Sequence, residues 1–153
     1  MIHDGERISN NLKMMAKMLP KDRTGLVHGD AHVGNSYRLP GANGGFYDWQ
    51  CVGRASPMFD VVYYIVSALD TDVRRCIERE LVKEYLAHLN AGAQRLSSED
   101  AWLAYRRYCI YGLWAWLTNP TQFHPQPVNI IQSNRFANAV ADLETFACVE
   151  SWA

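Results

Sequence analysis

The sequence predicts an α+β domain, predominantly α, with about five helices and one small β hairpin. Three observations predict it. Apolar residues recur at helical spacing through most of the chain. Two short apolar runs, Leu26-Val27 and the run ending at Tyr47-Asp48, flank the turn-forming stretch Leu39-Pro40-Gly41-Ala42-Asn43-Gly44-Gly45. At 153 residues, 48% hydrophobic and 20% charged, the chain is long and apolar enough for one cored domain, and it is not disordered.

The elements follow in order. Ile8, Leu12, Met15 and Leu19 form one stripe of a helix from Gly5 to Leu19, ended by Pro20 and Lys21-Asp22-Arg23-Thr24-Gly25. The chain thus enters its first helix with no preceding strand or cap. Leu26-Val27 is a strand that runs into the polar loop His28-Gly29-Asp30-Ala31-His32-Val33-Gly34-Asn35. After the turn, a second strand ends on Asp48, so Asp48 and the loop share one end of the hairpin. Pro57 suits a helix start, and the stretch Pro57 to Ala68 is apolar nearly all round, which predicts a buried helix. Asp60 in its first turn needs donors, either backbone amides or an Arg. A third helix spans Asp72 to Asn90, with Val73, Ile77, Leu81, Tyr85 and Leu89 inward and Arg74, Arg75, Glu78 and Lys83 solvated. Asn90-Ala91-Gly92 stops it. Ser97-Ser98-Glu99-Asp100 caps a fourth helix that reaches Leu117, and a last helix runs from Asn129 to Glu150.

Composition narrows the function classes. A net charge of −1 gives no electrostatic footprint for nucleic acid. No apolar run reaches membrane-spanning length and no leader is recognisable at Met1, so a cytoplasmic location is expected. Cys51, Cys76, Cys109 and Cys148 form no CxxC pair and read as reduced core thiols.

The chemistry-bearing pattern is His-Gly-Asp-x-His-x-x-Asn at 28–35, followed by Asp48. Singly, Asp30, Asn35 and Asp48 are ordinary turn or strand-end residues. Jointly they supply what phosphoryl transfer needs. One carboxylate meets the incoming hydroxyl, and an amide oxygen and a second carboxylate hold Mg²⁺, which takes few protein ligands beside phosphate oxygens.

The stretch 28–35, with Tyr47-Asp48-Trp49-Gln50, resembles the aminoglycoside phosphotransferase family within the kinase-like enzymes, which include choline kinases and ecdysteroid-kinase-like proteins. Gly53 to Tyr64 continues the likeness. The resemblance implies a protein-kinase-like carboxy-terminal lobe over residues 1–153. Its parts are a leading helix at 1–24, the catalytic loop and metal-binding hairpin at 25–56, and a helical subdomain at 57–153. It implies Asp30 as catalytic base, Asn35 and Asp48 as Mg²⁺ ligands, and ATP as co-substrate. His28, His32 and Asp60 would brace the loop. The acceptor, a small hydroxylated molecule, would meet Leu103 to Pro127, with Trp114, Trp116, Gln122 and His124 as lining candidates.

Family members carry an amino-terminal nucleotide lobe before this loop, and nothing here resembles its Gly-rich turn or its strand lysine. Lys13, Lys17, Lys21 and Lys83 fall in no predicted strand. The expectation is therefore a lobe that is inactive alone, whose exposed surface meets the missing lobe or a second copy in a homodimer. The alternative is a non-catalytic helical binding or dimerisation module that keeps the motif as scaffold. A third reading is metal-dependent hydrolysis at His28, His32 and Asp48.

Overall fold

In the computed structural model, which describes residues 4–19, 25–41, 44–90 and 96–152, helices dominate. Their order is α1 (Gly5–Met18), β1 (Gly25–Val27), β2 (Ser36–Arg38), β3 (Gly44–Phe46), β4 (Gly53–Ala55), α2 (Met58–Ala68), α3 (Thr71–Leu89), α4 (Ser98–Thr118), α5 (Gln126–Asp142) and α6 (Thr145–Glu150). The fold is α+β and mostly α, as the periodicity predicts. Lys21 to Thr24, the Ala42-Asn43 pair of the turn and the Ala91-Gly92 stop lie outside the described residues.

The pairing of strands departs from the sequence expectation. β2 and β3 form the hairpin, with Ser36 opposite Phe46 and Arg38 opposite Gly44. β1 instead pairs antiparallel with β4, Gly25 opposite Ala55 and Val27 opposite Gly53. Asp48 lies beyond β3 rather than on a strand, at φ 62° and ψ 57°. It opens a single 3₁₀ turn, Trp49–Cys51, that carries the chain to β4. Three-residue strands leave little periodicity to read, which is why their partners escape a sequence pattern.

Helix α2 is the axis of the core. Met58, Val62, Tyr63 and Val66 are buried on it, Asp60 and Ala68 are partly buried, and Tyr64 is exposed. It packs against α4, whose Tyr105, Tyr108, Cys109, Ile110 and Leu113 are also buried. At Gly112, α4 meets Phe136 of α5 so closely that an added Cβ would stand 2.0 Å from the ring. Each large apolar side chain taken out of water contributes about 1.5–3 kcal/mol, so this three-helix contact is the main source of stability.

Four further details correct the sequence reading. Helix α1 does have a cap: Asp4 accepts a hydrogen bond from the Arg7 N–H at 3.0 Å. The described residues hold six α-helices, because the last predicted helix breaks at Glu144, whose φ of 50° ends α5 and starts α6. On α3, Val73 and Ile77 are exposed while Arg74 and Glu78 are buried together with Val82 and Leu86. Arg74 donates to Glu78 at 2.7 Å and to Asp142 of α5, and the Tyr105 hydroxyl donates to Glu78 at 3.0 Å. Finally, all four thiols are free, but Cys51 and Cys76 are exposed and only Cys109 and Cys148 are buried. No helix among the described residues is long and apolar enough to cross a membrane.

Candidate active site

Asp60, in the first turn of α2, fixes the start of the polar loop. Its carboxylate accepts the His28 N–H at 2.6 Å and the Gly29 N–H at 3.0 Å. Burial raises its pKa from the ordinary value, and the two amide donors pull it partly back. Gly29 is required twice over. Its φ is 83°, and a Cβ there would meet the Cys51 carbonyl oxygen at 2.1 Å. This close approach seats the loop against the 3₁₀ turn that follows Asp48.

The His28 ring ties the same two segments together. Its Nδ1 accepts the Asp30 N–H at 3.2 Å, which leaves Nε2 as the protonated nitrogen that donates to the Tyr47 carbonyl at 2.8 Å. Trp49 packs on that ring at 4.6 Å between centroids and Phe46 at 5.4 Å. The Tyr47 N–H donates to the Asn35 carbonyl at 3.0 Å, so Asp48 follows directly from the residue bonded to Asn35. The Asn35 amide folds back on the loop, its Nδ2 donating to the Asp30 carbonyl at 3.0 Å and to Asp30 Oδ2 at 3.3 Å. Asn35 Oδ1 is left without a donor among the described residues. Asp48 is exposed, and its Oδ2 accepts from Gln50 Nε2 at 3.5 Å. Its left-handed backbone is uncommon for a residue other than glycine, and such conformations concentrate at functional sites.

Further groups surround Asp30. His32 Nδ1 accepts the Gly34 N–H at 3.0 Å, so Nε2 carries the proton, 3.9 Å from Asp30 Oδ2. Burial lowers the pKa of His32; Asp30 opposes this and His124 reinforces it. Burial drives the Tyr63 hydroxyl far above its usual range, with the adjacent Asp30 carboxylate adding to the rise. Burial likewise pushes Tyr111 up to about 12, again with Asp30 next in effect, and the Tyr111 hydroxyl donates to the Gly29 carbonyl at 3.4 Å. The thiol of Cys51 is raised by burial and then by both Asp30 and Asp48.

The structure therefore gathers His28, Asp30, His32 and Asn35 in one loop, bonded to Asp60 of α2, and ties the segment that carries Asp48 to that loop through Tyr47. Of the lining candidates, Trp116 and His124 stand against His32, at 5.3 and 5.4 Å between ring centroids. Trp114 is half exposed and packs at 6.2 Å from Tyr111. Gln122 is exposed and bonds to no site residue among those described. Tyr63, Tyr111 and Ser67, whose Oγ accepts the Val33 N–H at 2.9 Å, were not identified from sequence. They lie on helices as apparent core residues, and no local signal marks them. Also unforeseen is an apolar cleft of about 740 Å³ beneath the hairpin, lined by Leu26, Phe46, Trp49, Tyr64, Leu69 and Tyr85 among others.

Metal hydrolysis at His28, His32 and Asp48 is not supported. Both ring nitrogens of His28 are engaged in hydrogen bonds. Among the described residues no group of three or more His, Cys, Asp or Glu side chains is arranged to hold a metal. The Asn35 amide and the Asp48 carboxylate are oxygen donors, the kind Mg²⁺ takes while completing its shell with water and phosphate.

The polar loop thus presents Asp30 with the Asn35 amide bonded to it, its first two amides fixed by Asp60. The model of the phosphotransferase enzyme family matches residues 4–108, and the chain belongs to that family. No curated protein and no solved structure matches it.

Proposed function

We propose that this chain is the carboxy-terminal, catalytic lobe of a kinase that moves the γ-phosphoryl group of ATP to a hydroxyl of a small molecule. The observation that supports it most is the His28 ring, which couples the backbone of Asp30 to that of Tyr47 and so holds two acidic residues about Asn35. Asp30 accepts the hydroxyl proton as the acceptor oxygen bonds to the γ-phosphorus. The bond from that phosphorus to the β-bridging oxygen breaks, and ADP leaves. Asn35 Oδ1 and the Asp48 carboxylate are the groups that would hold Mg²⁺, whose role is to neutralise charge on the β- and γ-phosphate oxygens. Asp60 keeps the loop in shape throughout.

Positioning of ATP is the larger part of such catalysis, and no lysine among the described residues lies in a strand. We therefore assign nucleotide positioning to an amino-terminal lobe, seated on the exposed apolar face around the hairpin. Leu26 is 75% exposed there, and Tyr37, Leu39, Tyr47, Trp49 and Val52 are about half exposed. A second copy of the chain on that face is the competing reading, in which the motif serves as scaffold. Calorimetry with Mg-ATP, alone and with a nucleotide lobe supplied in trans, tests the assignment. Binding followed by transfer that Asp30→Asn abolishes supports the kinase. A tight homodimer in sedimentation that ignores ATP and Mg²⁺ supports the scaffold.

A further inference from the structure

A single 3₁₀ turn, Val33–Asn35, carries the amide assigned to Mg²⁺. Its three N–H groups are all engaged. Gly34 donates to His32 Nδ1 at 3.0 Å and Asn35 to the His32 carbonyl at 2.9 Å, so two of the bonds close inside the loop. The third leaves it: the Val33 N–H donates to the Ser67 hydroxyl at 2.9 Å. Ser67 is fully buried on α2. Its hydroxyl donates in turn to the Tyr64 carbonyl at 3.1 Å, which leaves an oxygen lone pair for Val33. The Ser67 carbonyl accepts Gln132 Nε2 at 3.1 Å and Arg135 Nη1 at 2.6 Å, so α5 holds the backbone of the same residue.

Resting on the phosphotransferase reading, we propose that Ser67 is a positioning residue that sets the direction of Asn35 Oδ1 and, through it, the affinity for Mg²⁺. Asp60 holds the first two amides of the loop and Ser67 holds the turn at its other end. Residues seven apart on a helix share a face and stand about 10 Å apart, so α2 acts as one rigid ruler for both ends. On its hairpin side the Asn35 carbonyl accepts the Tyr47 N–H at 3.0 Å. The Asn35 turn is thus held between α2 and the segment that leads to Asp48. Loss of the Ser67 hydroxyl lets the turn pivot on the Tyr47 bond, which moves Oδ1 and leaves Asp48 where it is. A side chain that orients a metal ligand commonly accounts for about ten- to a hundredfold in metal affinity. Ser67 acts only through Val33 and Asn35, because its burial keeps it from any ligand.

The test uses the full chain labelled with ¹⁵N, with Mn²⁺ and ATP as the probe, and compares Ser67→Ala with Thr145→Val. Thr145 is the matched control: it is also fully buried, and its hydroxyl donates to the Arg106 carbonyl at 2.9 Å rather than to the loop. The expected result is that Ser67→Ala raises the Mn²⁺ needed for half-maximal broadening by about tenfold. Broadening at Asn35 also falls relative to that at Asp48, and Thr145→Val changes neither. Without metal, Ser67→Ala speeds solvent exchange of the Val33 amide by about fivefold and shifts the Asn35 side-chain NH₂ signals. Wild-type Mn²⁺ affinity in Ser67→Ala overturns the proposal. So does an equal loss in Thr145→Val, which would mark a general loosening of the fold. A native chain in which Mn²⁺ and ATP broaden neither Asn35 nor Asp48 counts against the phosphotransferase reading. The metal-free signals then decide the rest: a shift at Asn35 keeps Ser67 as the residue that sets its direction, and unmoved signals remove that role too.

Discussion

Asp60 and Arg74 are two charged anchors set in the same helical body, and they are satisfied in opposite ways. Asp60 takes two neutral N–H donors from the motif loop, and burial raises its pKa from the ordinary carboxylate value. Arg74 is 1% exposed and is matched by the carboxylates of Glu78 and Asp142. Burial opposes its charge, but the two carboxylates outweigh that, and its pKa rises. The first arrangement shapes a loop. The second clamps α3 to α5 and has no part in the site. A buried carboxylate that holds backbone donors marks function here, and a buried ion pair marks architecture.

The largest effect separates chemistry from support. Asp30→Asn lowers phosphoryl transfer by roughly 10²–10⁴-fold, read as ADP release with a nucleotide lobe present, and leaves the melting temperature nearly unchanged. Asp60→Ala strands the His28 and Gly29 N–H groups and costs about 2–4 kcal/mol in urea unfolding. Asp60→Asn keeps an acceptor oxygen and costs less.

Asp142→Asn breaks the second anchor and costs about 2 kcal/mol near neutral pH. The hydrogen bond from Arg75, and then Arg74, holds the Asp142 pKa below the ordinary value. Its contribution is therefore present above the ordinary carboxylate pKa of about 4 and is lost as pH falls through the lower folded value. The cost of Asp142→Asn should shrink over that acid window. Asp60 has the opposite sign: its raised pKa makes its linkage term favourable at low pH and lost as pH rises through the folded value. The smallest effect checks the face of α3. Ile77→Ser and Val73→Ser change stability by less than about 0.5 kcal/mol, because both side chains are exposed.

The same contrast explains what could be read from sequence. Asp60 stands out as a lone acid in an apolar helix, so its need for donors is local information. The motif from His28 to Asn35 is also local, since its residues fall in eight consecutive positions, although Asp60, Ser67 and Tyr47 hold its shape from outside. Arg74 sits at helical spacing from Glu78 on what looks like a solvated face, and only Asp142, 68 residues away, makes it a core residue. The inward stripe drawn through Val73 and Ile77 fails for that reason. Pairing of β1 with β4 and the place of Trp116 beside His32 likewise depend on contacts between residues far apart in the chain.

Relaxation of backbone amides by Mn²⁺ in the presence of ATP tests the central claim most directly. Selective broadening at Asn35 and Asp48, with Asp30 affected next and Asp142 untouched, is the predicted result. Broadening that spares Asn35 and Asp48, or that falls on surface acids such as Glu99 and Asp72, would contradict a shared magnesium–phosphate corner.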